Sequence, residues 1–182
     1  MEKLPTTPSQ TIGPFFHVGL KWEGGEKVAF EAAGERIVLT GCVDDGAGNA
    51  VADALIETWQ AGPDGKAPAP GSKATPSGYG RAATDAEGRY TIETLMPGAC
   101  AGAGGEHYAP QIHVTIFARG LLKALRTRVF LADAAAVKDD PLAQAAGPRV
   151  GTLIAAQDAA SPATWRWDVR LQGKDETAFI EP

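Results

Sequence analysis

Apolar side chains recur at every second position along much of this chain, the period of strands buried on one face. In R-I-V-L-T-G-C-V (36–43), Ile37, Leu39 and Val43 share a face. A-L-I-E-T-W (54–59) is the next predicted strand, and R-Y-T-I-E-T-L (89–95) turns Tyr90 and Ile92 inward before Pro97-Gly98 ends it. Q-I-H-V-T-I-F-A (111–118) sets Ile112, Val114 and Ile116 against Gln111, His113 and Thr115. L-R-T-R-V-F-L (125–131) sets Leu125, Val129 and Leu131 against Arg126, Arg128 and Phe130. In T-W-R-W-D-V-R-L-Q-G (164–173), Trp165, Trp167, Val169 and Leu171 stand in register, and T-A-F-I (177–180) follows a turn.

The segments between are turn-forming. D-D-G-A-G-N (44–49) is a turn by composition, and 61–78 has almost no apolar side chain larger than Ala, so it reads as loop. Residues 99–110 read as a Gly/Ala loop. The Ala-rich stretch 132–160 favours helix, but Pro141 and Pro148 restrict it to short pieces. About seven short strands with turns between them predict an all-β fold, an antiparallel β-sandwich with short helical insertions. The run from Gly41 to Gly98 has the hairpin, crossing strand and turn pattern of prealbumin-like sandwiches. A single domain over 1–182 is expected, with a core at 36–182 and an N-terminal arm at 1–20 that contributes to a pocket or interface.

The chain's 182 residues suffice for one substantial core, and a net charge of −5 with a pI near 5.2 disfavours nucleic acid or an anionic membrane surface as partner. No run is long and apolar enough to span a bilayer, and M-E-K-L-P-T-T-P-S-Q carries no signal-like apolar stretch. Cys42 and Cys100 make neither a disulfide framework nor a cysteine zinc site. These features fit a soluble protein of the reducing cytoplasm.

Chemistry is sparse. There is no nucleophile elbow, phosphate loop or dinucleotide fingerprint. The pairs Asp44-Asp45 and Asp139-Asp140 fall in turn-like sequence and are expected to be solvated. Of His17, His107 and His113, only His113 lies on a predicted strand, two positions after Gln111. A histidine at 111 would have made a metal-binding pair; a lone one reads as structural. The arm T-P-S-Q-T-I-G-P-F-F (7–16) turns at Pro8 and Gly13-Pro14 and is expected to tuck Phe15 and Phe16 onto the body. From the residues alone, the chain is a sandwich with a polar strand face and no complete catalytic set.

The ordered set T-P-S-Q-T-I-G-P-F-F-H-V-G-L, A-L-I-E-T-W-Q-A-G-P-D-G, G-Y-G-R-A-A-T-D-A-E-G-R-Y-T-I-E-T-L-M-P-G, A-P-Q-I-H-V-T-I-F-A-R-G-L-L and R-T-R-V-F-L resembles the intradiol ring-cleaving dioxygenases. Within that family it is most similar to the α chains of the two-chain enzymes that open protocatechuate (3,4-dihydroxybenzoate). The resemblance covers nearly the whole chain and implies that fold. It implies Fe(III) as the cofactor, held in the family by two tyrosines and two histidines. The matching positions here are Cys100, Gln111 and His113, with no tyrosine in the loop at 61–78 and Tyr79 too late to substitute. One ligand of four thus survives. The resemblance therefore implies that the iron belongs to a partner β chain in a higher-order αβ oligomer, and that this chain binds no metal.

The resemblance assigns this chain a share of the substrate pocket, through Thr11, Gly13 and Pro14 in the arm and Arg119 in F-A-R-G. Gly13 allows close backbone approach to a flat ring, Pro14 sets the turn, and Arg119 suits a benzoate carboxylate. The implied reaction joins protocatechuate and O2 and yields 3-carboxy-cis,cis-muconate. Two other readings stand beside it: a self-sufficient intradiol dioxygenase acting on another catechol, and a non-catalytic sandwich that binds or scaffolds.

Overall fold

The computed structural model describes residues 11–13, 15–28, 33–68, 78–102 and 104–180. Pro14, the first part of the arm and residues 69–77 of the long loop lie outside them, as does the side chain of His17.

Two sheets face each other. In the first, β1 (Arg36–Asp44) runs antiparallel to β4 (Arg89–Leu95) and parallel to both β10 (Thr164–Arg166) and β11 (Val169–Arg170), while β9 (Ala156–Gln157) pairs with β10. The second has the order β3 (Tyr79–Ala83), β2 (Leu55–Trp59), β7 (Gln111–Phe117), β8 (Leu125–Phe130), all antiparallel. The alternating residues meet in the middle: Ile37, Leu39, Val43, Tyr90 and Ile92 from one sheet pack against Ile56, Ile112, Val114, Ile116 and Val129 from the other. Each large apolar side chain removed from water there contributes about 1.5–3 kcal/mol.

The sheets differ from the sequence expectation in particular places. The parallel pairs of β1 join residues 126 positions apart, beyond the reach of any local pattern. The final tryptophan-rich strand is broken at Trp167–Asp168. There the Trp167 carbonyl accepts from the Tyr90 hydroxyl (2.7 Å), and the Asp168 carboxylate takes the Cys42 N–H (2.9 Å) in place of a ladder bond. Gly41 lies against this break: a Cβ on it would stand 1.8 Å from the Trp167 carbonyl oxygen. β3, in Y-G-R-A-A, carries too little apolar mass to signal a strand and is recruited by pairing with β2. The 99–110 segment is a small hairpin, β5 (Cys100–Ala101) with β6 (His107–Tyr108), rather than open loop. T-A-F-I forms no strand; it is held by the Thr127 hydroxyl donating to the Ala178 carbonyl (2.7 Å) and by Ile180 N–H donating to Arg126 O (2.8 Å).

The Ala-rich stretch yields α2 (Pro141–Ala146) followed by a 3-10 turn over Gly147–Leu153. Asp140 caps α2 and, contrary to the solvated role expected of it, is 2% exposed. One carboxylate oxygen accepts from Leu142 and Ala143 N–H (2.8 and 3.2 Å) and the other from Ala109 N–H (2.8 Å). The helix start is thereby fastened to the entrance of β7, where Ala109, Phe130, Val137, Ala143, Leu153 and Ala178 form a second apolar cluster. Phe130, placed on the polar face of β8 by alternation, is buried by this cluster.

Candidate functional site

The arm reaches the second sheet through α1 (Phe16–Gly19), a single helical turn. Successive side chains on such a turn diverge by about 100°. Hence only one of the two phenylalanines meets the body: Phe16 is 6% exposed, whereas Phe15, expected to pack, is 78% exposed. The next residues are clamped to β3. The Arg81 guanidinium is ion-paired with Glu57, donates to Leu20 O (2.7 Å) and lies over the Trp22 ring (4.6 Å), while Arg81 N–H donates to Gly25 O (2.7 Å). This clamp sets Lys21 beside the ends of β2 and β3.

β7 ends in a tight turn over residues 118–121. Ala118 is fully buried, Gly120 has φ +85°, and Leu121 N–H donates back to Ala118 O (3.3 Å). A positive φ at the third residue is what such a turn demands, and glycine meets it without strain. Arg119 occupies the outer corner, its side chain 68% exposed, with Nε–H donated to the carboxylate of Asp53. The Thr11 hydroxyl donates to the Leu121 carbonyl of the same turn (2.8 Å). Two of the expected pocket residues, 108 positions apart, thus meet on one four-residue turn. Gly13 is exposed, with open space where a side chain would stand, and its carbonyl accepts from Phe16 N–H (3.2 Å). Pro14 lies outside the described residues.

Beside Arg119 is a cavity of about 320 Å³ lined by Lys21, Ala52, Asp53, Ala54, Ala83 and Arg119. Asp53 is the one acidic side chain among the described residues of its wall. Sequence reasoning missed both Asp53 and Lys21, because neither stands in a motif; only the fold brings them to Arg119. A larger hollow of about 460 Å³ opens between Trp22, Arg81 and Arg89. Its arginines are ion-paired, Arg81 with Glu57 and Arg89 with Asp85 and Glu87, as Arg119 is with Asp53.

Of the positions that correspond to iron ligands, Gln111 and His113 lie elsewhere on the same sheet, and Cys100 lies in the separate β5–β6 hairpin. Gln111 and His113 stand side by side on the outer face of β7. Gln111 is buried with its Oε1 unpartnered; His113 meets the edge of the Trp59 ring (5.1 Å between centroids) and lies directly opposite Arg128 on β8. Burial, then the Arg128 guanidinium, pushes the His113 imidazole down to about 4. Tyr79 lies across Trp59 from His113, two strands away, a separation of about 10 Å between backbones. Its ring stacks on Trp22 (6.1 Å), and its hydroxyl is pushed up to about 12 by burial and by Glu57. The Cys100 thiol is also pushed up by burial, and it donates to Gly98 O (3.6 Å).

These donors do not suit a ferric ion. Fe(III) favours anionic oxygen donors. Here the tyrosine resists ionisation, the neighbour of His113 is a neutral amide, and a guanidinium faces the imidazole. Among the described residues, no group of three or more His, Cys, Asp or Glu gathers as a metal site.

A dioxygenase family model matches residues 25–173. The chain belongs to the intradiol ring-cleaving dioxygenases. It is 38% identical to a protocatechuate 3,4-dioxygenase alpha chain of Burkholderia cepacia across the full length of both. It is 32% identical to the beta chain from the same organism, over 95% of this chain and 78% of that one. Among solved structures, catechol 1,2-dioxygenase from Pseudomonas arvilla C-1 superposes with a TM-score of 0.65 at 24% identity, over 86% of this chain and 59% of that one. That likeness shows the shared fold, the all-β sandwich read from the alternation. No helix among the described residues is long and apolar enough to cross a membrane.

Proposed function

We propose that this chain is the α-type subunit of a two-chain protocatechuate 3,4-dioxygenase, in which a β-type chain holds Fe(III) and this chain completes the substrate pocket. Thr11 and Arg119 gathered on the 118–121 turn carry the reading. A two-chain enzyme is further supported by the full-length likeness to one alpha chain and the lesser likeness to a beta chain.

In this role the chain binds and orients. The Arg119 guanidinium, its side chain 68% exposed, pairs with the ring carboxylate of protocatechuate by charge and two parallel hydrogen bonds. Gly13, Pro14 and Thr11 offer backbone and a hydroxyl along the edge of the ring, close because glycine has no Cβ. Iron, when present in the partner, supplies activation of the catechol toward O2. Fixing the carboxylate fixes where the two hydroxyl-bearing carbons fall, which is how orientation lowers a barrier.

The test is co-expression with a protocatechuate 3,4-dioxygenase beta chain, followed by ring-cleavage assays. In the assembled enzyme, Arg119→Ala should raise KM for protocatechuate about 10- to 100-fold, the worth of a charged hydrogen-bonded contact, and leave KM for catechol, which has no carboxylate, nearly unchanged. Equal loss on both substrates would remove Arg119 from carboxylate recognition. Ferric iron bound by this chain alone, with a tyrosinate-to-iron visible band, would instead make it self-sufficient. No complex and no cleavage would leave a binding or scaffold protein.

A further inference from the structure

Among the described residues Arg119 pairs with Asp53, and the geometry of that contact bears on specificity. The residue follows the buried Ala118 and sits at the corner of a turn, so its backbone is well placed but its side chain is long and mostly exposed. Such a side chain samples many rotamers, and holding one of them costs free energy at the moment of binding. Asp53, only 24% exposed at the mouth of β2, takes the guanidinium by Nε. That contact is on one side of the planar group, and among the described residues no hydrogen bond engages the pair of terminal amino nitrogens. Lys21 adds a second positive charge to the wall of the adjoining 320 Å³ cavity, so its described lining residues keep a net positive charge after Asp53 is counted.

We infer that Asp53 is a positioning residue that holds Arg119 by Nε and presents its amino edge to the carboxylate of the aromatic substrate. This rests on the pocket role proposed for Arg119. Asp53 also opposes an incoming carboxylate through its negative charge, but that repulsion acts across a partly wet site and is weak. The preorganisation of a long side chain is the larger effect, and it appears in affinity for the carboxylated substrate alone.

The experiment uses the assembled αβ enzyme with protocatechuate and catechol, and compares Asp53→Ala, Asp53→Asn, Arg119→Ala and the double variant Asp53→Ala/Arg119→Ala. Asp53→Ala should raise KM for protocatechuate about fivefold, with kcat and the catechol KM unchanged within about twofold. Asp53→Asn, which keeps a carbonyl acceptor for Nε–H, should fall between it and the parent. On the Arg119→Ala background, loss of Asp53 should add nothing. A fall in KM for protocatechuate would make Asp53 a competitor and overturn the inference. So would an equal rise for both substrates, or an undiminished effect in the double variant. Failure of the pocket role itself reads out separately, as an Arg119→Ala enzyme with an unaltered protocatechuate-to-catechol KM ratio. Thermal melts of both Asp53 variants matching the parent establish that the fold is intact.

Discussion

Lowering the pH tests the face where the family's metal ligands would stand. His113 is pushed from an ordinary 6.5 to about 4, first by burial and second by Arg128 opposite it on β8. Its charged form is therefore disfavoured in the folded protein, and between those values the unfolded chain binds the extra proton. Stability consequently rises with pH across that window; it falls as pH drops from about 6.5 to about 4, and the loss levels off below. The full displacement corresponds to about 3 kcal/mol at about 1.4 kcal/mol per tenfold change in proton affinity. The imidazole is only half-buried, so solvent screening reduces this to about 1–2 kcal/mol. Urea unfolding followed by tryptophan fluorescence at pH 7.5, 5.5 and 4.5, for the parent and His113→Gln, isolates the term from the carboxylates that titrate alongside. The parent should lose about 1–2 kcal/mol more than the variant over that range. In Arg128→Met the imidazole, followed by NMR, should titrate higher than in the parent yet still below 6.5, since burial is the larger cause. Parallel pH profiles for parent and His113→Gln, or a parent imidazole titrating near 6.5, would refute the reasoning.

Two further outcomes test the frame that holds the site. Asp140→Ala removes an N-cap from α2 and strands the Ala109 N–H at the start of β7; a loss of about 2–4 kcal/mol is expected in urea unfolding, with Asp140→Asn losing less. Gly41→Ala drives a methyl group into the Trp167 carbonyl at a point where backbone faces backbone; little folded protein should be recovered, as judged by near-ultraviolet circular dichroism and soluble yield.

The alternation of apolar residues determined most of the strands, because burial on one face of a pleated chain is a local, period-two property: Ile37, Leu39, Tyr90, Ile92, Ile112, Val114 and Ile116 are all in the core. Side-chain identity likewise determined that the ligand positions carry Cys100, Gln111 and His113, whose chemistry does not depend on how the sheets are joined. Everything that rests on register and distant contact was left to the tertiary structure. The parallel neighbours of β1, the Gly/Ala-rich β3 and the interruption at Trp167–Asp168 follow from which surfaces fit together over the whole chain. A carboxylate's fate is equally non-local: Asp139 stays in water, while Asp140, one residue on, is buried because three backbone donors converge on it. The same holds for function. Arg119 is legible as a cation at a strand end, but Thr11 reaching the same turn, Asp53 taking its Nε and Arg128 standing opposite His113 are settled only when distant segments pack, since each requires partners the local sequence does not contain.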